Sequence, residues 1–200
     1  MNIVGFNVVP YNGLIDKNEF SKYTTGVRTL DTFLFEEIEK IEEDNKSLLS
    51  VAYINDEIVG MFALSTAQTT NNETSKQSTR TFRKANMRYS NLPMISIDHF
   101  SVNKKYQYVD DPSNEQYHVG SALLNVIYET VVMLRVQYNV AIAGVSVDAL
   151  PNAADWYEKQ KFVYVNDEEE NTPVKDAFKM IIGYEMIEKA YYILHDHKTD

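Results

Sequence analysis

The sequence lacks cysteine altogether, so disulfide bonds, a catalytic thiolate and cysteine-based zinc sites are excluded. Its 200 residues contain no uninterrupted run of about 18 apolar residues, the length that crosses a membrane as a helix. Residues 1–9 also lack the basic segment and apolar core of a secretory signal. We therefore expect no membrane segment, and we expect a cytoplasmic protein.

Positive charge is also scarce, since 19 Lys and Arg residues face 29 Asp and Glu residues and leave a net charge of −10. Such a surface repels the phosphates of nucleic acids and favours neutral or cationic substrates such as amines. One segment departs from this balance: the stretch from Lys76 to Arg88 carries five basic residues and no acidic one. Nucleic acid is therefore the less favoured partner, and this basic loop is where it would bind.

The hydrophobic pattern predicts a single α/β domain that spans residues 1–200. Two apolar runs within residues 48–65 flank Asn55-Asp56 and predict a β-hairpin. Further strands are predicted at 3–9, 94–102, 141–147, 162–165 and 178–187, and helices at about 30–41, 119–138 and 153–161. Residues 66–92 are predicted to form a long loop, and residues 188–200 receive no assignment.

A strand, a polar loop and Gly120 precede the clearest helix of the chain. Free backbone N–H groups and the positive end of the helix dipole make such a helix start a binding place for phosphate. Glycine lets the backbone approach an anion closely, and Ser121 adds a hydroxyl donor. The alternative interpretation is an ordinary helix start with no ligand.

Two segments carry a family resemblance. Lys105-Tyr106-Gln107 followed by Val119-Gly120-Ser121-Ala122-Leu123-Leu124 resembles the acetyl-CoA motif of the GNAT N-acetyltransferases. The segment from Asp148 to Phe162, with Asn152 and Tyr157 at the expected spacing, resembles the second signature of that family. Residues 30–34 and 89–102 are similar to the branch of toxin-type acetyltransferases.

The resemblance implies a fold, a co-substrate and a reaction. The fold is the GNAT fold, with a central, mixed but mostly antiparallel sheet of six to seven strands, helices on both faces, and strands four and five splayed apart. Acetyl-CoA is the implied co-substrate, and the implied reaction moves its acetyl group directly to a primary amine. The acceptor is a small molecule or a peptide or protein amine, with aminoacyl-tRNA less favoured, and a homodimer stays open.

The resemblance also implies roles for individual residues. Tyr157 takes the place of the general acid that protonates the leaving thiolate, and a phenol is protonated at neutral pH. Its alternative role is that of an aromatic core residue. The implied contacts to the cofactor come from Phe100, Ser101, Val102, His118, Val119, Gly120, Ser121, Ala122, Asn152 and Trp156, where Asn152 has the alternative role of a helix cap.

A general base is less clearly marked. Asp98 and His99 on the predicted fourth strand are the candidates, because histidine titrates near neutral pH. A solvated carboxylate and a hydrogen-bonded core histidine are the alternatives, and water can also remove the proton. We expect no metal site, since His195 and His197 lie near the terminus without a third ligand at matching spacing.

The cofactor loop departs from the family motif, and two alignments remain open. With the Leu-Leu pair aligned, Gly120 is the last glycine of the motif, His118 replaces the earlier one and Glu115 replaces its Arg or Gln. With Gly120 as the earlier glycine, Ala122 is the later one and Tyr117 replaces the Arg or Gln. A loop with so little glycine motivates the alternative function, a degenerate GNAT domain that binds CoA or regulates without turnover.

Overall fold

The computed structural model describes residues 6–11, 17–70, 91–108, 118–166, 171 and 175–196. Seven strands are present in this part of the chain: β1 Phe6–Pro10, β2 Leu48–Ile54, β3 Glu57–Thr70, β4 Asn91–Val102, β5 Gly144–Ala149, β6 Val163–Tyr164 and β7 Phe178–Gly183. The helices are α1 Lys17–Phe20, α2 Arg28–Thr32, α3 Ile38–Glu43, α4 Val119–Val136, α5 Ala154–Lys159 and α6 Tyr184–Asp196. Along the chain these elements follow the order β1-α1-α2-α3-β2-β3-β4-α4-β5-α5-β6-β7-α6.

The strands form one mixed sheet with the order β1-β2-β3-β4-β5-β7-β6. Antiparallel pairs join β1 to β2, β2 to β3, β5 to β7 and β6 to β7, whereas β4 and β5 run parallel. The parallel pairs run from Met94↔Gly144 to Ile97↔Val147 and stop there, although β4 continues to Val102 and β5 to Ala149. This early end of the pairing is the splay of strands four and five that the resemblance implies.

The predicted hairpin is present between β2 and β3. Asn55 and Asp56 form its turn with φ values of 48° and 64°, the left-handed pair that a type I′ turn requires. The strand β3 continues to Thr70 and β4 begins at Asn91, so the predicted loop 66–92 is in part strand. The sequence predicts a loop for the threonine and alanine residues at 66–70. They instead extend β3, with side chains that alternate between the two faces of the sheet.

The end of the chain also differs from the sequence prediction. The predicted strand 178–187 ends at Gly183, and the helix α6 follows over Tyr184–Asp196. Apolar residues lie on both sides of Gly183, at the end of the strand and at the start of the helix, which is why the pattern did not separate them. His195 therefore lies on a helix, where its Nδ1 is 2.8 Å from the carbonyl oxygen of Tyr191.

Contacts divide the chain into two compact units, residues 1–65 with 98–127, and residues 66–97 with 128–200. The first unit contains a core of aromatic and aliphatic side chains from β2, β3 and the segment between β1 and β2: Tyr11, Phe20, Tyr23, Leu34, Ile38, Leu49, Val51, Ile58, Met61 and Ala63. The second unit has a core in which Leu92, Met94, Val165 and Ile181 pack together. The prediction of a single domain stays a prediction.

The helix α4 is long and apolar enough to cross a membrane when judged by length and composition alone. Core helices of globular proteins pass the same test. In this fold its stripe of Val119, Leu123, Ile127 and Val131 is fully buried, as expected for a core helix.

Candidate functional site

The end of β4 separates two sets of predicted site residues onto opposite faces of the sheet. His99 and Ser101 are buried, whereas Asp98 is exposed and Phe100 and Val102 are half-buried. Successive side chains of a strand point to opposite faces, which explains the alternation. Asp98 and His99, the two candidates for a base, therefore do not act on the same side of the sheet.

A chain of buried hydrogen bonds joins His99 to the first helical region. The Nε2 of His99 lies 2.7 Å from the Oγ of Ser101, and this Oγ lies 2.6 Å from the hydroxyl of Tyr23. The imidazole also stacks on Phe33, with ring centroids 4.9 Å apart and planes only 7° from parallel. The hydroxyl of Ser101 is thus engaged by two protein groups, so its side chain serves this network in the structure.

The segment that carries Phe33 has an unusual backbone. Residues Phe33–Glu37 form a π-helical turn between α2 and α3, a rare feature that often accompanies functional sites. The start of α2 is held by Asp31, whose carboxylate accepts hydrogen bonds from the N–H and hydroxyl of Thr25 and the hydroxyl of Thr24. Partial burial alone would raise the pKa of Asp31, but these bonds lower it below its usual value.

Burial decides the protonation state of His99. Removal from water lowers its pKa from 6.5 to about 4, although the negative charge of Asp31 acts in the opposite direction. The ring is therefore neutral at physiological pH. A base with so low a pKa is a weak proton acceptor, because general bases work best with a pKa near the working pH. The assignment of a base to Asp98 or His99 stays a prediction.

The start of α4 places the predicted phosphate-binding residues. Val119 is fully buried and anchors the first turn, while Gly120, Ser121 and Ala122 are half-buried. The first N–H groups of the helix have no partner within it, because helical bonds begin with the N–H of Ala122 donating to the carbonyl of His118 at 3.1 Å. This end of the helix is therefore able to bind an anion.

His118 has a backbone conformation that normally belongs to glycine. Its φ is +46°, and it lies directly before α4. Glycine adopts a positive φ without steric strain, which is why a tight phosphate-binding loop uses glycine at such a position. The geometry fits the alignment in which His118 replaces the earlier glycine of the motif. The exposed imidazole lies against the ring of Tyr108, with centroids 5.9 Å apart.

The strand β3 lets α4 pack closely. A Cβ on Gly60 would lie 2.5 Å from the Cδ1 of Leu123 and 2.9 Å from the carbonyl oxygen of Ser101. Both distances are too short for a real side chain, so only glycine fits at this place. Gly60 therefore positions both the helix and the end of β4, a role that the sequence pattern does not reveal.

In the second unit, Tyr157 lies on α5 with its side chain only 4% exposed. Its ring packs edge-on against Trp156 and Phe162, at centroid distances of 4.9 and 5.2 Å. Burial raises the pKa of Tyr157 well above its usual value, so the phenol stays protonated at every physiological pH. Protonated is the form that a general acid needs, but the raised pKa also makes this phenol a weaker proton donor than a free tyrosine. The roles of Tyr157 as general acid and as aromatic core residue both stay predictions.

Asn152 and Trp156 occupy different environments around α5. Asn152 is exposed, and the cap of the helix is Ala153, so the alternative of Asn152 as a helix cap is not what the structure contains. Trp156 is half-buried. The amide of Asn152 and one part of the indole are thus open to solvent.

Several residues of interest lie outside the described residues, namely the basic stretch 76–88, Glu115, Tyr117, the acidic residues 168–170 and His197. The predictions that concern these residues therefore stay predictions. Within the part of the chain that the structure describes, no group of three or more His, Asp or Glu residues is placed to hold a metal ion.

Neither protein-family models nor curated proteins match this sequence. Solved structures do match over nearly the whole chain. A Tyr→Phe mutant of KacT is 17% identical with a TM-score of 0.70, over 93% of this chain and 99% of that one. AtaTR bound with acetyl-CoA is 14% identical with a TM-score of 0.68, over 94% of this chain and 99% of that one.

A third solved structure is AtaT complexed with acetyl-methionyl-tRNAfMet, which is 14% identical with a TM-score of 0.64, over 93% of this chain and 99% of that one. At such low identity these likenesses show the fold. The chain shares the fold of these structures, which confirms the GNAT fold that the two sequence motifs imply.

Proposed function

We propose that this protein is an N-acetyltransferase that moves the acetyl group of acetyl-CoA to a primary amine. The observation that carries the proposal is the GNAT fold with β4 and β5 parting after Ile97 and Val147. The likeness to AtaTR, which was solved with acetyl-CoA, supports the same co-substrate. The buried, protonated Tyr157 supports the reaction, because the leaving thiolate needs a proton donor.

The residues at the start of α4 fit the phosphates of acetyl-CoA. The N–H groups that precede Ala122 in the first turn have no helical partners, and the half-buried Gly120 carries no side chain that would obstruct an anion. We assign this turn, residues 118–122, to the pyrophosphate. No lysine or arginine lies within the turn, so backbone donors and the helix dipole are the groups that hold the charge there.

The chemistry of the transfer follows from these parts. The lone pair of a neutral amine attacks the thioester carbonyl carbon, so that a C–N bond forms and the C–S bond breaks. The sulfur leaves with the bonding electrons and takes the proton from the hydroxyl of Tyr157. The surplus proton of the amine passes to water, since the neutral but weakly basic His99 is a poor acceptor for it, and water returns a proton to the Tyr157 oxygen to complete the cycle.

The acceptor is a primary amine of small-molecule, peptide or protein origin. The net charge of −10 supports this class, because it attracts cationic amines and repels polyanions. A polyamine and a lysine-containing peptide are therefore the first acceptors to test.

Aminoacyl-tRNA is the second candidate acceptor. The observation that favours it is the likeness to AtaT complexed with acetyl-methionyl-tRNAfMet. Its α-amino group is also a primary amine, so the same chemistry applies. Acetylation of methionyl-tRNA that weakens steeply as salt rises from low to physiological concentration would support this acceptor, because phosphate contacts release counterions.

The test of the proposed function is the release of free CoA thiol from acetyl-CoA in the presence of the two amines. The chain has no cysteine, so every thiol that a disulfide reagent detects comes from CoA. We expect Tyr157→Phe to lower kcat about a hundredfold, the size of a lost general acid, with unchanged acetyl-CoA affinity. Tyr164→Phe is the control, since Tyr164 packs against Phe178 on the neighbouring strand and should keep its activity within about twofold.

Two results would decide against parts of this account. Saturable acetyl-CoA binding without thiol release, with methionyl-tRNA also tested as acceptor, would favour the alternative of a degenerate GNAT domain that binds CoA. Unchanged turnover in Tyr157→Phe would remove the role of Tyr157 and leave the reaction itself in place.

A further inference from the structure

Tyr23 carries a buried hydroxyl that joins two distant parts of the first compact unit. Its side chain is 3% exposed and lies between α1 and α2. Its hydroxyl oxygen is 2.6 Å from the Oγ of Ser101, which lies 78 residues further along the chain on β4. This hydrogen bond therefore ties the first helical region to the end of the strand.

The end of β4 extends past its pairing with β5. The parallel pairing of the two strands ends at Ile97, whereas β4 continues to Val102. Directly after the strand, the N–H of Lys104 donates a hydrogen bond to the carbonyl of Thr24 at 2.8 Å. The segment that begins with Tyr23 thus supports β4 over the stretch that β5 no longer pairs with.

The hydroxyl of Ser101 bonds to two groups with different consequences. A serine hydroxyl donates one hydrogen bond and accepts two, so it can serve both Tyr23 and the Nε2 of His99, which is 2.7 Å away. His99 lies two residues from Ser101 on the same strand, so that bond stays within β4. The bond to Tyr23 instead fixes the Ser101 side chain against another element. Removal of the Tyr23 hydroxyl would break this link and leave the bond to His99 in place.

A strand edge whose neighbour has parted can pair with an extended ligand. Backbone groups at such an edge bond to ligand amides and carbonyls in the same way as strands bond to each other. The arm of acetyl-CoA is extended, carries amides and ends in the thioester carbonyl. Since the hydroxyl of Ser101 is engaged, the backbone of residues 100–102 is the part left for this arm. An N–H group polarises a carbonyl effectively only when it is held in the right place.

We propose that Tyr23 is a positioning residue whose hydrogen bond to Ser101 fixes the backbone of β4 at residues 100–102 against the thioester carbonyl of acetyl-CoA. Tyr23 itself does not touch the co-substrate and acts through Ser101. The inference rests on the proposed function, because it needs acetyl-CoA to bind along β4.

The stretching frequency of the thioester carbonyl provides the direct test, measured by infrared spectroscopy on bound acetyl-CoA with an isotope-labelled acetyl carbonyl. No amine is added, so the acetyl group stays on CoA. Positioned donors weaken the C=O bond, so we expect a lower frequency on the parent protein than in water. Tyr23→Phe should move the frequency back towards the value in water. A change in overall stability alone would not produce this shift.

A double-mutant cycle on kcat/KM tests the route through Ser101. Tyr23→Phe should lower kcat/KM about fivefold, the factor that a hydrogen bond between neutral groups is typically worth. Ser101→Ala removes the other end of the same bond, so Tyr23→Phe should have no further effect in that background. Tyr11→Phe is the matched control, because Tyr11 lies in the same core and its hydroxyl donates to Oε1 of Glu39 at 3.4 Å. It should leave the carbonyl frequency and kcat/KM as in the parent.

The outcomes separate this inference from the proposed function. An unchanged carbonyl frequency in Tyr23→Phe, with an active parent, would overturn the inference and leave the proposed function standing. An equal loss of kcat/KM from Tyr23→Phe in the parent and in the Ser101→Ala background would overturn it as well. A parent that releases no CoA thiol with a polyamine, a lysine-containing peptide or methionyl-tRNA would refute the proposed function, and this inference with it.

Discussion

His99 combines deep burial with a neutral ring, and this combination makes the stability of the protein sensitive to acid. Its pKa is lowered to about 4 in the folded protein, against 6.5 when unfolded. Between these values the unfolded chain binds a proton that the folded chain does not, so stability rises with pH. The contribution is complete above about pH 6.5 and is lost as the pH falls towards 4, by about 3 kcal/mol in all.

We therefore expect His99→Gln to reduce the loss of unfolding free energy between pH 7 and pH 4.5, measured by urea denaturation at each pH. Carboxylates such as Asp31 also contribute to acid sensitivity, but they are present in both proteins and cancel in the comparison. His195→Gln serves as the control, since His195 lies on the half-buried side of α6 and its replacement leaves His99 in place. An equal loss in His99→Gln and the parent would contradict the buried, neutral ring.

The sequence identifies some single residues and not others. The motif singles out Tyr157 because its spacing is fixed, and the catalytic role of Tyr157 stays a prediction. Tyr23 could not be predicted, because its importance depends on which groups lie nearby in the fold. Burial and hydrogen-bond partners are properties of the packed structure, and hydrophobic periodicity describes only which side of an element faces inward.

The start of α4 is the element on which cofactor binding depends most. His118 holds a positive φ there at a cost that glycine does not pay. We expect His118→Gly to raise the unfolding free energy by about 1 kcal/mol, because the strain is relieved. It should also lower the Kd for acetyl-CoA a few-fold, because removal of the side chain lets the phosphates approach the N–H groups.

Asn139→Gly is the matched control for this prediction. Asn139 follows the other end of the same helix, is exposed, and has a similar φ of +54°. It should show a comparable gain in stability with unchanged acetyl-CoA affinity. Weaker acetyl-CoA binding by His118→Gly would instead assign a phosphate contact to the imidazole.

The sequence predicts elements that have turn residues or a long apolar stripe of their own. It does not predict the boundary between a strand and a helix that follow each other without an intervening loop. The turn at Asn55-Asp56 and the helix α4 match the sequence prediction closely, because turn residues and a long apolar stripe are local features. The boundary between β7 and α6 was missed, since the apolar residues before and after Gly183 read as one strand. The extension of β3 to Thr70 depends on pairing with a neighbouring strand, which the local sequence does not encode.

For the molecule as a whole, fold and charge support different levels of the functional proposal. The GNAT fold was predictable from two motifs, and the structural likeness confirms it although identity stays below 20%. The net charge of −10 favours cationic or neutral amines over polyanions as the acceptor. The identity of the amine depends on side chains that no motif specifies, so it follows from measurement with acceptors and not from the fold.

Calorimetric titration of the full chain with acetyl-CoA tests the central claim most directly. The proposed function predicts saturable binding of one acetyl-CoA per chain, with a Kd on the order of micromolar to submillimolar as for typical enzyme substrates. A chain that binds no acetyl-CoA at millimolar concentration would contradict the claim, because an acetyltransferase has to bind this co-substrate.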